Sequence, residues 1–334
     1  MEATPDPLAA DLVKMIERRQ VVVVVGSGVS MSTNRNSPTW RGLIKSGIQH
    51  CRTIGANERW CQLVSGQLEL HDEPDMLLSA AELVHNKLSA NGGGELARWL
   101  RTMFESLKVV DPAVIKALAA LDLPLLTTNY DDLIEKATGL QYVTWKDSRH
   151  VARVGRKDDR RVLHLHGHWD APESLVLGIR SYETVKSSEH TQAIMRALAM
   201  TNSLLFVGCG EEGLNDPNFG NFLSWLDAVE TTAGVEHRHY RLVTRKDSFT
   251  PRGRLFPIIY GESHVDLPPF LARLKPVAAG KIEPKKGEHT SSVKPSSLAD
   301  SIDHYLKSLA TETSHLTLLG MGRSLQIELP VREP

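Results

Sequence analysis

The first hydrophobic run of the chain, Val21–Val25, consists of five consecutive valines. An uninterrupted β-branched run is typical of a strand that is buried on both faces of a parallel sheet. The preceding residues 7–19 place Leu8, Leu12 and Ile16 at helical spacing and predict an amphipathic helix. The pattern thus predicts a helix that leads directly into a buried strand.

Residues 40–121 follow a different pattern, in which apolar positions recur at helical spacing. Helices are predicted over residues 40–52, 58–65, 75–88, 94–107 and 111–121. No strand pattern of any strength interrupts this block. We therefore expect a helical insertion module, at about residues 40–121, carried by a larger domain.

Strand and helix patterns alternate again after Pro124. Strands are predicted over residues 125–128, 142–145, 162–166, 175–177, 204–207, 240–243 and 257–260, and helices over 131–137, 181–200, 216–230 and 267–274. Such units favour an α/β fold, a Rossmann-like doubly wound parallel sheet over residues 1–274. The polar residues 275–297 predict a linker, and residues 298–334 predict a short helix and strand that could join a downstream module.

Composition narrows the class of function. The formal net charge of −1 leaves no global basic footprint, so direct nucleic-acid binding is not expected. The cysteines Cys51, Cys61 and Cys209 form no C-x-x-C pair, which argues against a disulfide framework and against a structural zinc site. No apolar run is long enough to span a bilayer. We expect a cytoplasmic protein without membrane contact.

A glycine-rich segment follows the valine run directly. Gly26, Ser27, Gly28 and Ser30 stand at the carboxyl end of the predicted strand. Glycines at this position let the backbone approach a pyrophosphate closely. The fingerprint G-x-G-x-x-G is incomplete because residue 31 is a methionine, so a tight turn without a ligand remains an alternative.

A second polar segment, Thr128, Asn129 and Asp131, follows the next core strand. Open α/β sheets bind ligands at the carboxyl ends of their strands. The amide of Asn129 can form hydrogen bonds with a ribose hydroxyl or a water molecule, since it offers both a donor and an acceptor. The alternative is that Asn129 and Asp131 merely cap the next helix.

A third segment contains His164, His166 and His168 in alternation. A histidine at the end of a strand, as at His166, suits a general base because its pKa lies near neutrality. The alternation leaves open a metal site with Asp170 as a further ligand, but Gly167 is expected to end the strand, so no metal is expected. His164 by itself is typical of a core histidine.

A fourth segment combines Gly208, Cys209 and Gly210 with the polar stretch around Asn218. A glycine turn after a strand, followed by a polar loop, fits a contact with ribose or adenine. A plain loop with a helix cap is the alternative. A reactive role for the Cys209 thiol has no support in the sequence.

The order of these four segments resembles the sirtuin-like superfamily, in which a G-A-G-x-S loop precedes T-Q-N-I-D, a strand that ends in H-G, and a G-x-S loop. The resemblance implies NAD as the ligand, with Asn129 on the ribose or the attacking water, Asp131 toward the nicotinamide amide, and His166 as the base. It also implies a set of nucleotide-contacting residues, namely Gly26, Ser27, Gly28, Ser30, Thr128, Gly208, Cys209, Gly210 and Asn218.

Differences between this chain and the sirtuin pattern narrow the activity that the resemblance implies. Sirtuin deacylases carry a zinc ribbon with two C-x-x-C pairs, which this chain lacks, and Thr128 replaces the usual glutamine. The chain therefore looks like the sirtuin-like NAD hydrolases of bacterial anti-phage defence. This resemblance implies cleavage of the nicotinamide–ribose bond, NAD depletion and abortive infection. A non-catalytic NAD- or ADP-ribose-binding domain and a protein deacylase are the alternatives.

The end of the chain extends the resemblance. Residues 315–334 are similar to the junction that precedes a STAND or NACHT module in NLR-like defence proteins. This similarity implies a C-terminal sensor or ATPase module, or a partner chain with that role. Because free NAD hydrolysis harms the host, we expect control through a homo-oligomer.

Overall fold

The computed structural model describes residues 6–70, 74–90, 94–214, 222–225, 238–247, 249 and 253–275. All of them belong to one compact unit, Met1–Ala278, and the second unit, Ala279–Pro334, lies outside the described residues. The predictions for residues 276–297 and 298–334 therefore also lie outside them. None of the described helices is long and apolar enough to cross a membrane.

The core of the unit is a parallel sheet of seven strands in the order β3-β4-β2-β1-β5-β6-β7. The strands are β1 (Val21–Val25), β2 (Leu125–Thr127), β3 (Tyr142–Thr144), β4 (Val162–His164), β5 (Ser203–Val207), β6 (His239–Thr244) and β7 (Leu255–Gly261). Every neighbouring pair runs parallel. The predicted α/β class and parallel sheet are confirmed.

Helices cover both faces of this sheet. They are α1 (Pro7–Glu17), α2 (Ser27–Thr33), α3 (Trp40–Thr53), α4 (Glu58–Leu68), α5 (Pro74–Ala90), α6 (Gly94–Phe104), α7 (Ala113–Ala119), α8 (Leu133–Thr138), α9 (Ser148–Gly155), α10 (Ile179–Ser187), α11 (Glu189–Thr201), α12 (Glu211–Leu214) and α13 (Leu267–Leu274). Helices α3 to α7 occupy the predicted helical block between β1 and β2. Of the predicted helix over 216–230, residues 222–225 are described, and they are helical.

The valine run of β1 shows why the sheet needs helices on both of its faces. Val21, Val23 and Val25 pack into one hydrophobic cluster with α1, α3 to α7 and α13. Val22 and Val24 pack into a second cluster with α9 and α11 on the opposite face. Successive residues of a strand point to opposite faces, so a strand without polar positions requires cover on both sides.

The structure corrects two predicted elements. Residues 175–177 are no strand: they follow a 3-10 turn at Pro172–Ser174, and the Val176 amide bonds the His166 carbonyl instead of a ladder partner. The long helix predicted over 181–200 is two helices, because the backbone of Ser188 is extended between them. Helix α9 was missed by the pattern, since its apolar face is carried by only two buried valines, Val151 and Val154.

Candidate functional site

Four predicted site segments leave four adjacent strands at the same level. Val25, the last residue of β1, is in register with Thr127 of β2 and with Val207 of β5. Thr127 is in turn in register with His164, the last residue of β4. Because the strands are parallel and end together, the segments that follow them meet at one edge of the sheet.

These segments line a single cavity of about 1040 Å³ at that edge. The volume lies at the upper end of the range for ligand pockets, which measure about 300 to 1,000 Å³. The predicted site residues in its wall are Gly26, Ser27, Gly28, Ser30, Thr128, Asn129, Asp131, His166, Gly208, Cys209 and Gly210. Asn218 lies outside the described residues.

The amide of Asn129 is held in one orientation at the centre of the cavity. Its Nδ2 donates to the Gly26 carbonyl at 3.0 Å and to Ser30 Oγ at 2.8 Å. A carbonyl oxygen can only accept, so the nitrogen must face Gly26, and both amide donors are used. The Oδ1 atom has no partner among the residues that the structure describes, which leaves an acceptor for a ligand or water in the cavity wall.

Ser30 connects Asn129 to Asp131. Its hydroxyl accepts from Asn129 and donates to Asp131 Oδ2 at 2.7 Å. Asp131 Oδ1 accepts from the Leu133 amide at the start of α8, although the N-cap residue itself is Asp132, whose side chain makes no capping bond. Burial raises the pKa of Asp131, although the hydrogen bond from Ser30 opposes this shift. The serine hydroxyl is thus part of an internal network that orients the amide.

The raised pKa of Asp131 makes a prediction for stability. A carboxyl whose pKa is higher in the folded state contributes stability that is fully present below its unfolded pKa and is lost as pH rises through the folded pKa. Asp131→Asn cannot ionise, so its melting temperature should rise relative to that of the wild type as pH increases toward neutrality. Thermal melts between acidic and neutral pH check this.

Asp147→Asn is the opposite control. The hydrogen bond from His150 lowers the pKa of Asp147, so its contribution to stability is present above its unfolded pKa and is lost as pH falls. This variant should lose stability relative to the wild type as pH rises. If Asp131→Asn behaved in the same way, the carboxylate of Asp131 would be stabilised, and the inferred direction of its pKa shift would be wrong.

The two glycine loops contact each other through their backbones. The Gly28 amide donates to the Gly208 carbonyl at 2.9 Å, and the Gly26 amide donates to the Val207 carbonyl at 2.9 Å. Gly208 has a φ of +68°, and a Cβ on it would lie 2.6 Å from the Val29 nitrogen. A side chain is therefore excluded at Gly208 both by its backbone conformation and by its neighbour.

Gly208→Ala should disrupt this loop contact. A non-glycine residue in the left-handed region costs about 1–3 kcal/mol, and the clash adds to it. We expect a lower free energy of unfolding in denaturant melts. Gly210→Ala is the matched control for stability, because a Cβ there meets nothing within 4 Å. Equal stability of the two variants would contradict this reading of the loop.

His166 enters the cavity from the turn after β4. Gly167 has a φ of +87°, and a Cβ on it would lie 2.2 Å from the Ser174 carbonyl oxygen, so only glycine permits this turn. The ring of His166 is only 5% exposed and meets Tyr182 of α10 edge-on, with centroids 5.6 Å apart. Both rings line the cavity, and Tyr182 therefore orients the imidazole within it.

The other two histidines point into the protein. His164 Nδ1 lies 2.9 Å from the Asn129 carbonyl and its Nε2 lies 2.9 Å from Glu135 Oε1. His168 Nδ1 accepts from the Asp170 amide, and burial lowers the pKa of His168 to about 2. Within the described part of the chain, no group of three potential metal ligands converges.

The surroundings of Cys209 disfavour its thiolate form. Its Sγ lies near the carbonyl oxygens of Val24 and Val207, at 3.7 and 3.8 Å. Burial raises the pKa of this thiol to about 12. The thiolate is the nucleophilic form of cysteine, and it is not populated near neutral pH at such a pKa. Cys209 contributes the shape of the loop.

Arg241 is a cavity residue that the sequence reasoning missed. It lies in β6, and its guanidinium donates to the Cys209 carbonyl at 3.0 Å and pairs with Glu211. The guanidinium therefore links the loop after β5 to strand β6. An arginine inside a predicted strand was the available signal, because a buried charge requires partners.

Comparison with known proteins finds a domain match that includes much of this site. Residues 124–256 match the SIR2-like domain. The matched residues include Asn129, His166 and Gly208, whereas the glycine loop at 26–30 precedes them and joins the site through the neighbouring strand β1. The resemblance to sirtuin-like proteins is thereby confirmed for this domain.

One protein aligns with a larger part of the chain than the domain match does. The chain is 28% identical over 247 residues to the NAD(+) hydrolase ThsA of Bacillus cereus (strain MSX-D12). The alignment covers 71% of this chain and 46% of the relative, so the chain accounts for less than half the length of that protein. The similarity therefore extends beyond the matched residues of the SIR2-like domain.

Proposed function

We propose that the SIR2-like domain hydrolyses NAD to nicotinamide and ADP-ribose. The bond between the nicotinamide nitrogen and C1′ of the ribose breaks, and a bond from water to C1′ forms. One proton of the water is released. The similarity to a NAD(+) hydrolase supports NAD as the substrate. The observation that carries the proposal is the cavity in which Asn129 and His166 meet the two glycine loops.

The residues have separate tasks in this proposal. Nicotinamide leaves as a neutral ring from a cationic one, so catalysis requires placement of ribose and water more than a strong acid. Asn129 Oδ1 accepts a hydrogen bond from the water or a ribose hydroxyl. His166 accepts the proton that the water loses as it attacks C1′. The backbone of Gly26, Gly28 and Gly208 admits the pyrophosphate closely.

The biological setting is part of the same proposal. NAD hydrolysis that depletes the cellular pool would serve abortive infection in anti-phage defence. Such an activity needs control, and self-association or a sensor module in the same or a partner chain would supply it. A cytoplasmic location would place the enzyme beside its substrate.

The direct test is chromatography of NAD incubated with the full chain. The proposal expects equimolar nicotinamide and ADP-ribose without any acyl peptide. Calorimetry in parallel separates the alternatives. Binding without loss of NAD, under dilute and concentrated conditions that vary self-association, would favour a non-catalytic NAD-binding domain. Release of nicotinamide only with an acyl-lysine peptide would favour a deacylase.

A further inference from the structure

His164 and Glu135 form a buried polar pair directly behind the site. His164 ends β4 and is fully buried, and Glu135 lies on α8 with 11% of its side chain exposed. The imidazole Nε2 and the carboxylate Oε1 are 2.9 Å apart. Neither residue lines the cavity, so neither can touch a ligand there. The mechanism above leaves this pair without a task.

The second ring nitrogen of His164 reaches the residue at the centre of the site. Its Nδ1 lies 2.9 Å from the backbone carbonyl oxygen of Asn129. A carbonyl oxygen only accepts, so Nδ1 must carry a proton and donate. The pair therefore shares one proton between Nε2 and Oε1, as imidazolium and carboxylate or as two neutral groups. In either form Nδ1 remains a donor to Asn129.

The surroundings hold the ring of His164 in place. Tyr142 and His168 both meet it edge-on, with centroids 6.0 and 4.8 Å away. Lys136, next to Glu135 on α8, is paired with Asp132 at 2.9 Å and so does not compete for the carboxylate. A side chain that contacts two neighbouring rings and is bonded at both ring nitrogens is held in one position.

The hydrogen bond from His164 adds to a second bond that holds the backbone of Asn129. The backbone amide of Asn129 is also held in place, since it donates a hydrogen bond to Thr127 Oγ1 at 3.0 Å. With the carbonyl held by His164, the peptide groups on both sides of the residue are anchored. The position of Oδ1 in the cavity then depends on a hydrogen bond that comes from β4 and, through it, from α8.

We infer that His164, held by Glu135, is a positioning residue that sets the orientation of Asn129 for catalysis. The inference rests on the proposed function for its kinetic consequence and on geometry alone for its structural one. Loss of the Nδ1 bond should lower kcat, because small misplacements of reacting groups cost about 10²-fold in rate. The KM for NAD should change little, since the glycine loops keep their contacts.

Two substitutions separate the two nitrogens of His164. An asparagine amide nitrogen is two bonds from Cβ, as Nδ1 is, so His164→Asn retains a donor for Asn129. A glutamine amide nitrogen is three bonds from Cβ, as Nε2 is, so His164→Gln retains only the partner of Glu135. His190→Gln is the matched control, because His190 also bonds a backbone carbonyl, that of Ser148, outside the cavity.

The experiment measures kcat and KM of the full chain and also the side-chain amide resonances of Asn129, assigned by their loss in Asn129→Asp. His164→Gln should lower kcat by about 10²-fold and shift these resonances. His164→Asn should restore most of both, and the control should change neither. Should His164→Gln not fold, Glu135→Leu, which removes the partner of Nε2, replaces it and should shift the resonances.

The outcomes are distinct. Wild-type kcat and unshifted Asn129 resonances in His164→Gln, in a chain that cleaves NAD, overturn the inference and leave the proposed function intact. Equal losses in the glutamine and asparagine variants assign His164 to packing and also overturn it. If the wild type cleaves no NAD, the proposed function fails, and the resonances alone decide: shifts confined to His164→Gln, or to Glu135→Leu in its place, support the inference.

Discussion

Asn129→Ala is expected to lower kcat for NAD cleavage by about 10³-fold, because it removes the acceptor that orients ribose and water at the reacting carbon. The side chain is 8% exposed and anchored by Gly26 and Ser30, so its loss removes an oriented group and not a mobile one. Chromatographic rates at saturating NAD measure the effect. NAD binding, measured by calorimetry, should weaken far less than kcat falls.

The control for Asn129 is a second buried asparagine. Asn202 donates to the Leu198 carbonyl at 3.0 Å and lies outside the cavity wall. Asn202→Ala should reduce stability while the folded protein keeps its kcat. If the two variants lost activity in the same proportion as they lost folded protein, Asn129 would have only a structural role, and the catalytic proposal would fail.

His166→Ala is expected to lower kcat by about 10²- to 10⁴-fold, the range that a positioned general base contributes. The substitution leaves a space beside Tyr182 in the cavity wall. Added imidazole can enter this space and accept the proton, so it should restore part of the rate in proportion to its concentration. Nicotinamide release with and without imidazole measures both effects.

His85→Ala is the matched control for His166. His85 is half-buried on α5 and does not line the cavity, so its removal should leave kcat unchanged and should not respond to imidazole. Full turnover by His166→Ala would show that another group accepts the proton. A loss without any rescue, combined with weaker NAD binding, would favour a binding role for the imidazole.

Several features of the site followed from the sequence because their causes are local. The five valines of β1 had to be covered on both faces, and glycines at 26, 28 and 208 stood where strands end. The two wrong elements also have local causes. Residues 175–177 are apolar because they are buried in a loop, and apolar character alone does not distinguish that from a strand.

Other features depended on neighbours that are far apart in the chain. The pattern did not contain the strand order, which places β4 beside β2 and β5 beside β1 and so brings Asn129 and His166 to one cavity. His164 looked like an ordinary core histidine, since its task depends on the Asn129 carbonyl, 35 residues away in sequence. Arg241 was overlooked because its partners belong to another strand's loop.

The sequence by itself determined most of the strands and helices and the glycines that follow the strands of the site, because burial patterns and glycine sterics act over a few residues. Only the tertiary structure decided which strands are neighbours, which way the Asn129 amide faces, and how burial shifts the pKa values of Asp131 and Cys209. Hydrogen-bond partners and desolvation are set by atoms that folding brings together from distant parts of the chain.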